Sequence, residues 1–518
     1  MKTRITTAVA IIIFSVAQFS CATSQAPTDL TRESIIPRPV LVQATAESFT
    51  MTDKTDIYVQ GESADAELIG NYLAGKLNPS TGLVFEVKNT AEVPKKGNIY
   101  LVINKDIQGL GEEGYELTIS TKMVQISAPK AAGLFYGVQT LLQILPAKVE
   151  LTNQIGPWTL ATGTIKDYPE YSYRGAMLDV ARHFFKPEDV KRLIDQMARY
   201  KLNQLHLHLA DDQGWRIEIK SWPNLTTIGG STQVGGGAGG FYTQEEYTDI
   251  VKYAQSRYIT IIPEIDMPGH TNAALASYAE LNCNGKATKL YTGTNVGFST
   301  LCTSKEITYQ FVSDVFREIA AITPGPYIHI GGDESHVTKK EDYIPFISRV
   351  QEIVTSAGKI PMGWDDIALS TLKPGTVCQH WATVKNAVSA AGQGAKLVLS
   401  PASKAYLDMK YDSTTTLGLN WAGYVEVDKG YSWDPANYVP GVNRSSILGI
   451  EAALWSETVT NKDEVDYMVF PRLPGYAEIG WTPAALRSWD EYKIRLGKQG
   501  QRFTAMGIKF YKSPLVQW

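Results

Sequence analysis

From Tyr171 onward, short apolar runs recur along the chain, several of them separated by segments with helical spacing. The runs are Arg174–Val180, Leu202–Leu209, Ile259–Ile265, Tyr327–Ile330, Ile360–Trp364, Val377–Trp381, Lys396–Ser400 and Gly449–Trp455. Runs of this length read as strands buried on both faces, the form that parallel sheets take in sequence. Between the first two, Pro187 opens a helix that places Val190, Leu193, Ile194 and Met197 on one face. Helical patterns also follow Thr243, Lys305 and Asp342. Eight strand candidates alternating with helices predict an α/β fold, a (β/α)8 TIM barrel over residues 169–518. Roughly 350 residues accommodate such a barrel with long loops. One of these is Pro401 to Leu448, rich in Tyr and Trp, and long loops in compact domains are often binding loops. Another, Gly229 to Gly240, lacks the strand–turn–helix setting of a phosphate cradle.

Residues 30–168 have a different rhythm. Ile99–Ile103 and Tyr115–Ile119 read as strands, and the second pairs with Met123–Ile126 as a hairpin across Ser120-Thr121-Lys122. Ala131 to Leu145 carries apolar residues at helical spacing and is ended by Pro146. These elements hold no chemical cluster and predict a small α+β accessory domain. Residues 1–22 read as an export signal, with Lys2 and Arg4 ahead of an apolar run, Ala8 to Val16, too short to span a bilayer. Two cleavage readings stand side by side: a lipoprotein signal with Cys21 acylated, and a small-residue site ending at Ala22. The protein is therefore expected to be exported, either periplasmic or held on the outer membrane through a lipid at Cys21.

An oxidising compartment makes Cys283 and Cys302, which flank a Gly- and Thr-rich loop, the expected disulfide, contributing roughly 3 kcal/mol. Cys378 lies in an apolar segment and is expected to be a buried free thiol. No cysteine has zinc-ligand spacing, and no metal or other cofactor is expected. A net charge of −4 gives no global attraction to nucleic acid or anionic lipid. The 27 Tyr and 11 Trp supply flat apolar faces with a polar tip, which suits stacking on sugar rings, although large cores use them too.

In a (β/α)8 barrel the active site lies at the carboxyl ends of the strands. There the second run ends in Asp211-Asp212, and the third leads into Glu264, Asp266 and His270. The fourth ends in Asp333-Glu334, the fifth in Trp364-Asp365-Asp366, the sixth in His380-Trp381 and the last in Trp455-Ser456-Glu457. This convergence points to an enzyme. Within it, His329-Ile330-Gly331-Gly332-Asp333-Glu334 brings two adjacent carboxylates out of a glycine pair that permits close approach. A bland alternative is an Asp that caps the next helix with a Glu in its first turn. Tryptophan walls favour the catalytic reading, because apolar surroundings keep a carboxylic acid protonated near neutrality.

These stretches carry a family resemblance. Tyr173-Arg174-Gly175 with Leu178-Asp179-Val180-Ala181-Arg182, and Leu205-His206-Leu207-His208-Leu209 with Asp211-Asp212-Gln213-Gly214-Trp215-Arg216, are two of them. Pro263-Glu264-Ile265-Asp266-Met267-Pro268-Gly269-His270 and the Asp333-Glu334 segment are the others. From about Tyr171 to the C-terminus the chain resembles the family 20 glycoside hydrolases, the exo-β-N-acetylhexosaminidases, and the preceding segment looks like that family's accessory domain. The resemblance implies a glycan substrate ending in an N-acetylhexosamine and a mechanism without an enzymic nucleophile, a known exception among retaining glycosidases. The 2-acetamido oxygen of the substrate attacks the anomeric carbon and forms an oxazolinium.

By the same resemblance, Glu334 is the general acid and then the base, Asp333 holds the acetamido N–H, and Tyr406 holds its oxygen. Trp364, Trp381 and Trp455 wall the pocket, and Asp408 and Glu457 bind outer hydroxyls. Arg174 is expected at the blind end of the pocket on the 3- and 4-hydroxyls, and His270 with Asp212 is expected to tune the acid. Two rivals remain. His206 and His208 share one strand face, and with His270 or His329 and Asp333 they could serve a metal-dependent hydrolase. The other is a non-catalytic sugar-binding barrel.

Overall fold

The structure is a computed structural model that describes residues 26–61 and 63–518. The expected export signal with Cys21 lies outside the described residues. The first seven strands are Leu41–Met51 (β1), Ile57–Gln60 (β2), Val87–Thr90 (β3), Asn98–Ile103 (β4), Tyr115–Ile119 (β5), Met123–Ala128 (β6) and Trp158–Asp167 (β7). They form one mixed sheet in the order β1-β7-β5-β6-β4-β2-β3. The predicted hairpin is β5–β6, and its turn is closed by the Ser120 N–H on the Met123 carbonyl. Along β5, Tyr115, Leu117 and Ile119 are buried and the residues between them less so, the period-2 alternation of a sheet covered on one side. The helices Ala64–Thr81 and Ala131–Ile144 pack against each other and against the sheet.

The eight barrel strands are Tyr173–Asp179 (β8), Gln204–His208 (β9), Thr260–Glu264 (β12), Tyr327–His329 (β13), Ile360–Trp364 (β14), Val377–His380 (β15), Lys396–Leu399 (β16) and Ile447–Leu454 (β17). Between β9 and β12 a two-residue hairpin, Ala210–Asp211 (β10) with Gly214–Trp215 (β11), sits at the carboxyl end of β9. The eight close in the order β12-β13-β14-β15-β16-β17-β8-β9, every neighbour parallel. All seven residues of β8 are buried, as strands lying between a packed interior and a helix layer must be. The helix Pro187–Arg199 starts at its proline and buries Val190, Leu193, Ile194 and Met197. Thr243 and Glu246 form a capping box on the next helix. The repeat lapses twice: a short 3-10 turn, Asp365–Leu369, follows β14, and only three short α-helices and a 3-10 turn, Arg444–Ser446, interrupt the chain between Pro401 and Ser446.

The sheet domain packs on the amino-terminal face of the barrel through buried ions. Lys201 Nζ lies 2.9 Å from Asp167 Oδ2, with neither side chain exposed, and Trp481 donates its indole N–H to the other Asp167 oxygen at 2.9 Å. Arg199 and Arg502 share the carboxylate of Glu150. Among the described residues, no helix is long and apolar enough to cross a membrane.

Candidate active site

At the opposite, carboxyl-terminal face, a cleft of about 250 Å3 is lined by Arg182, Asp333, Glu334, Trp381, Tyr406, Asp408, Trp455 and Glu457, with Trp421 and Val296 at its mouth. Each wall has a local cause. Gly331 and Gly332, at φ +64° and +102°, turn the chain sharply after β13. A Cβ on Gly331 would strike the Asp266 carboxylate, and one on Gly332 would lie 2.6 Å from Ile367. Glu334 itself has φ +46° and His270 φ +55°, left-handed conformations that non-glycine residues rarely hold and that cluster at functional sites. The long loop after β16 brings in Tyr406, Asp408 and the half-exposed Trp421, whose ring meets Trp381 and Tyr406 edge-on. The Cys283–Cys302 disulfide, as expected, closes the loop that carries Thr294 and Val296 to the rim. Cys378 is a buried free thiol whose burial pushes its pKa well up.

The pocket is unusual for its unpaired buried polar atoms. Asp333 Oδ1, both carboxylate oxygens of Asp408 and Glu457 Oε2 have no hydrogen-bond partner among the described residues. Buried polar groups are ordinarily satisfied, so these four oxygens mark where a ligand's donors belong. Their electrostatics agree. Burial and the neighbouring Asp266 carboxylate push Asp333 well above the usual Asp range. Burial and Glu457 do the same to Asp408. Glu334 differs: burial raises its pKa, but the neighbouring His270, whose Nε2 lies 3.5 Å from its carboxylate, outweighs that and holds it below normal.

The walls are braced from behind. Trp381 donates its indole N–H to Asp366 at 3.1 Å, and Asp365 accepts from His380 Nδ1 at 2.7 Å and from the Thr383 N–H at 3.0 Å. Trp364 is fully buried, 5.7 Å from Trp455 ring to ring, and so forms the floor behind Trp455. Its indole N–H donates to Glu264 at 2.8 Å.

Two expectations are corrected. Arg174 does not reach the pocket: as the second residue of β8 it lies at the barrel's amino-terminal end, where it grips both oxygens of Glu113 at 2.7 and 3.0 Å and the carbonyls of Tyr171 and Lys201. The arginine of the pocket is Arg182, three residues past the end of β8, paired with Asp211 at 2.9 Å and lying over the Trp455 ring. Seven strand residues carry the chain from one face to the other, so strand position was the signal that separates the two arginines. The partner of His270 is likewise Asp211, at 3.2 Å from Nδ1, whereas Asp212 lies 3.9 Å away. Asp212 instead accepts from Ser299 and from the Asn272 N–H. The β10–β11 hairpin decides which of the two adjacent aspartates faces His270.

His206 and His208 are buried inside the barrel with their nitrogens on carboxylates. His208 Nδ1 lies 2.5 Å from Glu264 and Nε2 2.8 Å from Asp211, and His206 lies 2.9 Å from both Glu264 and Glu451. Such separations are hydrogen-bond distances; zinc ligands bonded at about 2.0 Å in a tetrahedron stand roughly 3.3 Å apart. At His206 and His208 this geometry is that of hydrogen-bonded barrel residues and does not support the metal-centre reading.

A TIM barrel whose carboxyl face holds a tryptophan-lined cleft, adjacent catalytic-type carboxylates and unpaired hydroxyl acceptors defines a glycoside hydrolase. The comparisons with known proteins give the family. Residues 171–484 match the catalytic domain of glycosyl hydrolase family 20, and residues 32–168 match domain 2 of that family. The chain belongs to glycosyl hydrolase family 20. It is 41% identical to a beta-N-acetylhexosaminidase of Cellulomonas fimi over 94% of this chain and 97% of that protein. Among solved structures, the family 20 beta-N-acetylhexosaminidase of Streptomyces coelicolor A3(2) superposes with a TM-score of 0.92 at 51% identity, covering 95% of this chain and all of the other. A mutant beta-hexosaminidase of Streptomyces plicatus, solved with its product GlcNAc, matches at TM-score 0.90 and 52% identity over 94% of this chain and 98% of that one.

Proposed function

We propose that the protein is an exo-acting β-N-acetylhexosaminidase that removes a terminal non-reducing β-linked N-acetylhexosamine with retention, through an oxazolinium formed by the substrate's own acetamido group. The observation that carries this reading is the adjacent pair Asp333–Glu334 beside unpaired acceptors in a closed cleft. Glu334 protonates the glycosidic oxygen as the acetamido oxygen attacks the anomeric carbon, and then takes a proton from the water that opens the oxazolinium. Asp333 accepts the acetamido N–H. Because burial and Asp266 disfavour its anion, a positive charge developing on that nitrogen gains more than a neutral amide does, which is selective stabilisation of the transition state.

Tyr406 orients the acetamido oxygen, Trp381 encloses its methyl group with Trp364 as the floor behind, and Trp455 lies under the sugar ring. Arg182, Asp408 and Glu457 take the outer hydroxyls and close the blind end, so only a chain terminus enters. The N-terminal sequence supports export, and palmitate labelling separates a lipid at Cys21 from cleavage after Ala22. The direct test compares hydrolysis of the nitrophenyl β-glycosides of GlcNAc and of glucose, with a thiazoline mimic of the oxazolinium as inhibitor. Rapid GlcNAc turnover, negligible glucose turnover and tight thiazoline inhibition are expected. Equal turnover of both sugars, or indifference to the thiazoline, would mean that Asp333 does not hold a reacting acetamido group.

A further inference from the structure

Beneath the pocket, a file of ionisable side chains continues down the barrel axis. Glu334 Oε2 faces His270 Nε2 at 3.5 Å, His270 Nδ1 meets Asp211 at 3.2 Å, and the other Asp211 oxygen meets His208 Nε2 at 2.8 Å. His208 Nδ1 meets Glu264 Oε2 at 2.5 Å, and Glu264 Oε1 in turn accepts the Trp364 indole N–H. His208 and Glu264 are wholly buried, so the bonds that His208 makes do not compete with solvent. Both nitrogens of His208 rest on carboxylates. A neutral imidazole has only one N–H and cannot donate to both, so between two ionised carboxylates, as the charges around Asp211 and Glu264 favour, His208 is held as an imidazolium.

We propose that the relay behind the general acid extends past Asp211, with His208 clamped as a cation between Glu264 and Asp211 to fix the carboxylate that orients His270, and that His208 and Glu264 are positioning residues for Glu334. This rests on the hexosaminidase reading. Glu264 then ties two parts of the site together, since the same carboxylate fixes His208 and the floor tryptophan Trp364.

The surrounding charges are consistent with that assignment. Burial opposes a charge on His208, but Glu264, Asp211 and the nearby Asp179 together hold its pKa well above normal. Asp211 also faces Arg182, His270 and Asp212. His270 faces Asp212, Asp266 and Asp333 besides its partners in the file. Glu264 faces His206 and His329 besides His208, with Asp266 close by. Glu334 faces Arg182, His336 and Asp333 as well as His270. Removing the His208 cation takes positive charge from this group and loosens Asp211, and both effects raise the pKa of Glu334.

The test is the pH profile of kcat/KM on a GlcNAc glycoside for the full chain and for His208→Gln. The alkaline limb of the variant is expected to move upward by on the order of half a pH unit. A limb that coincides with that of the unaltered enzyme at lower amplitude would mean a packing role only and would overturn the proposal. Failure of the hexosaminidase reading is separate, because the unaltered enzyme would then show no profile at all.

The unaltered protein also offers a readout that needs no variant to fold. With seven histidines in the chain, nitrogen NMR can follow each ring. Several buried rings sit among carboxylates, so the readout is the ring assigned to His208, which is expected to stay doubly protonated from pH 5 to 8 and to begin titrating there in Glu264→Gln. If the His208 ring is neutral at pH 6 in the unaltered protein, the imidazolium clamp does not exist.

Discussion

The two ends of the barrel both bury charged side chains, and they complete their carboxylates differently. At the amino-terminal end, against the sheet domain, Lys201 meets Asp167, Arg199 and Arg502 share Glu150, and Arg174 is held by Glu113 and two carbonyls. At the carboxyl-terminal end, Asp333, Asp408 and Glu457 keep oxygens with no protein partner among the described residues. Desolvation penalises an ion equally at either end, so the difference lies in what completes it: protein below, substrate above. Burial of a charge therefore does not mark function. Carboxylate oxygens left without a partner in a cleft do. Arg174 illustrates the rule, being among the most enclosed side chains in the molecule and fully engaged in joining two domains.

This contrast can be broken by experiment, and the largest effect belongs to the acid. Glu334→Gln is expected to lower kcat by roughly 10^2–10^4-fold on substrates with poor leaving groups, with an unchanged melting temperature. At the other end, Lys201→Met leaves Asp167 buried without its cation and should cost about 3–5 kcal/mol in denaturant unfolding, with kcat/KM of the folded fraction unaltered. A catalytic loss without a stability loss in Lys201→Met would overturn the division. The two arginines give the sharpest comparison. Arg182→Met should reduce kcat/KM by roughly 10–100-fold through lost charged hydrogen bonds to the sugar, while Arg174→Met lowers the melting temperature and leaves kcat/KM in place.

The smallest effect concerns Glu33, whose burial pushes its carboxyl up to about 7. A carboxyl raised on folding binds a proton that the unfolded chain has lost, so this group's contribution to stability declines as pH rises from about 4.5 to 7. Glu33→Gln should accordingly raise the melting temperature at pH 8 relative to the unaltered protein and change it little at pH 4. An equal change at both values would show that Glu33 does not titrate in that window.

Much of the fold was legible because strand and helix periodicities are local. The eight apolar runs each became a barrel strand, and the hairpin at Ser120–Lys122 and the helix opened by Pro187 lie where the spacing put them. Site residues that follow directly from a strand end were legible for the same reason: Asp333 and Glu334 emerge from β13 and Trp455 from β17. Position along β8 also held the information needed to prefer Arg182 over Arg174.

Other features depend on elements far apart in sequence. The choice of Asp211 over Asp212 is a matter of side-chain direction in a two-residue hairpin, fixed only when His270, some 60 residues on, packs against it. The carboxylate of Glu264 gathers His206, His208, His329 and Trp364 because four parallel strands close around one axis. The sequence by itself determined the barrel and the disulfide, written in the recurrence of eight apolar runs and in the loop that two cysteines flank, and the family resemblance of its motifs singled out the acid pair. Only the tertiary structure decided which buried charges are paired and which stand open, because pairing is a property of distance in space and not of order along the chain.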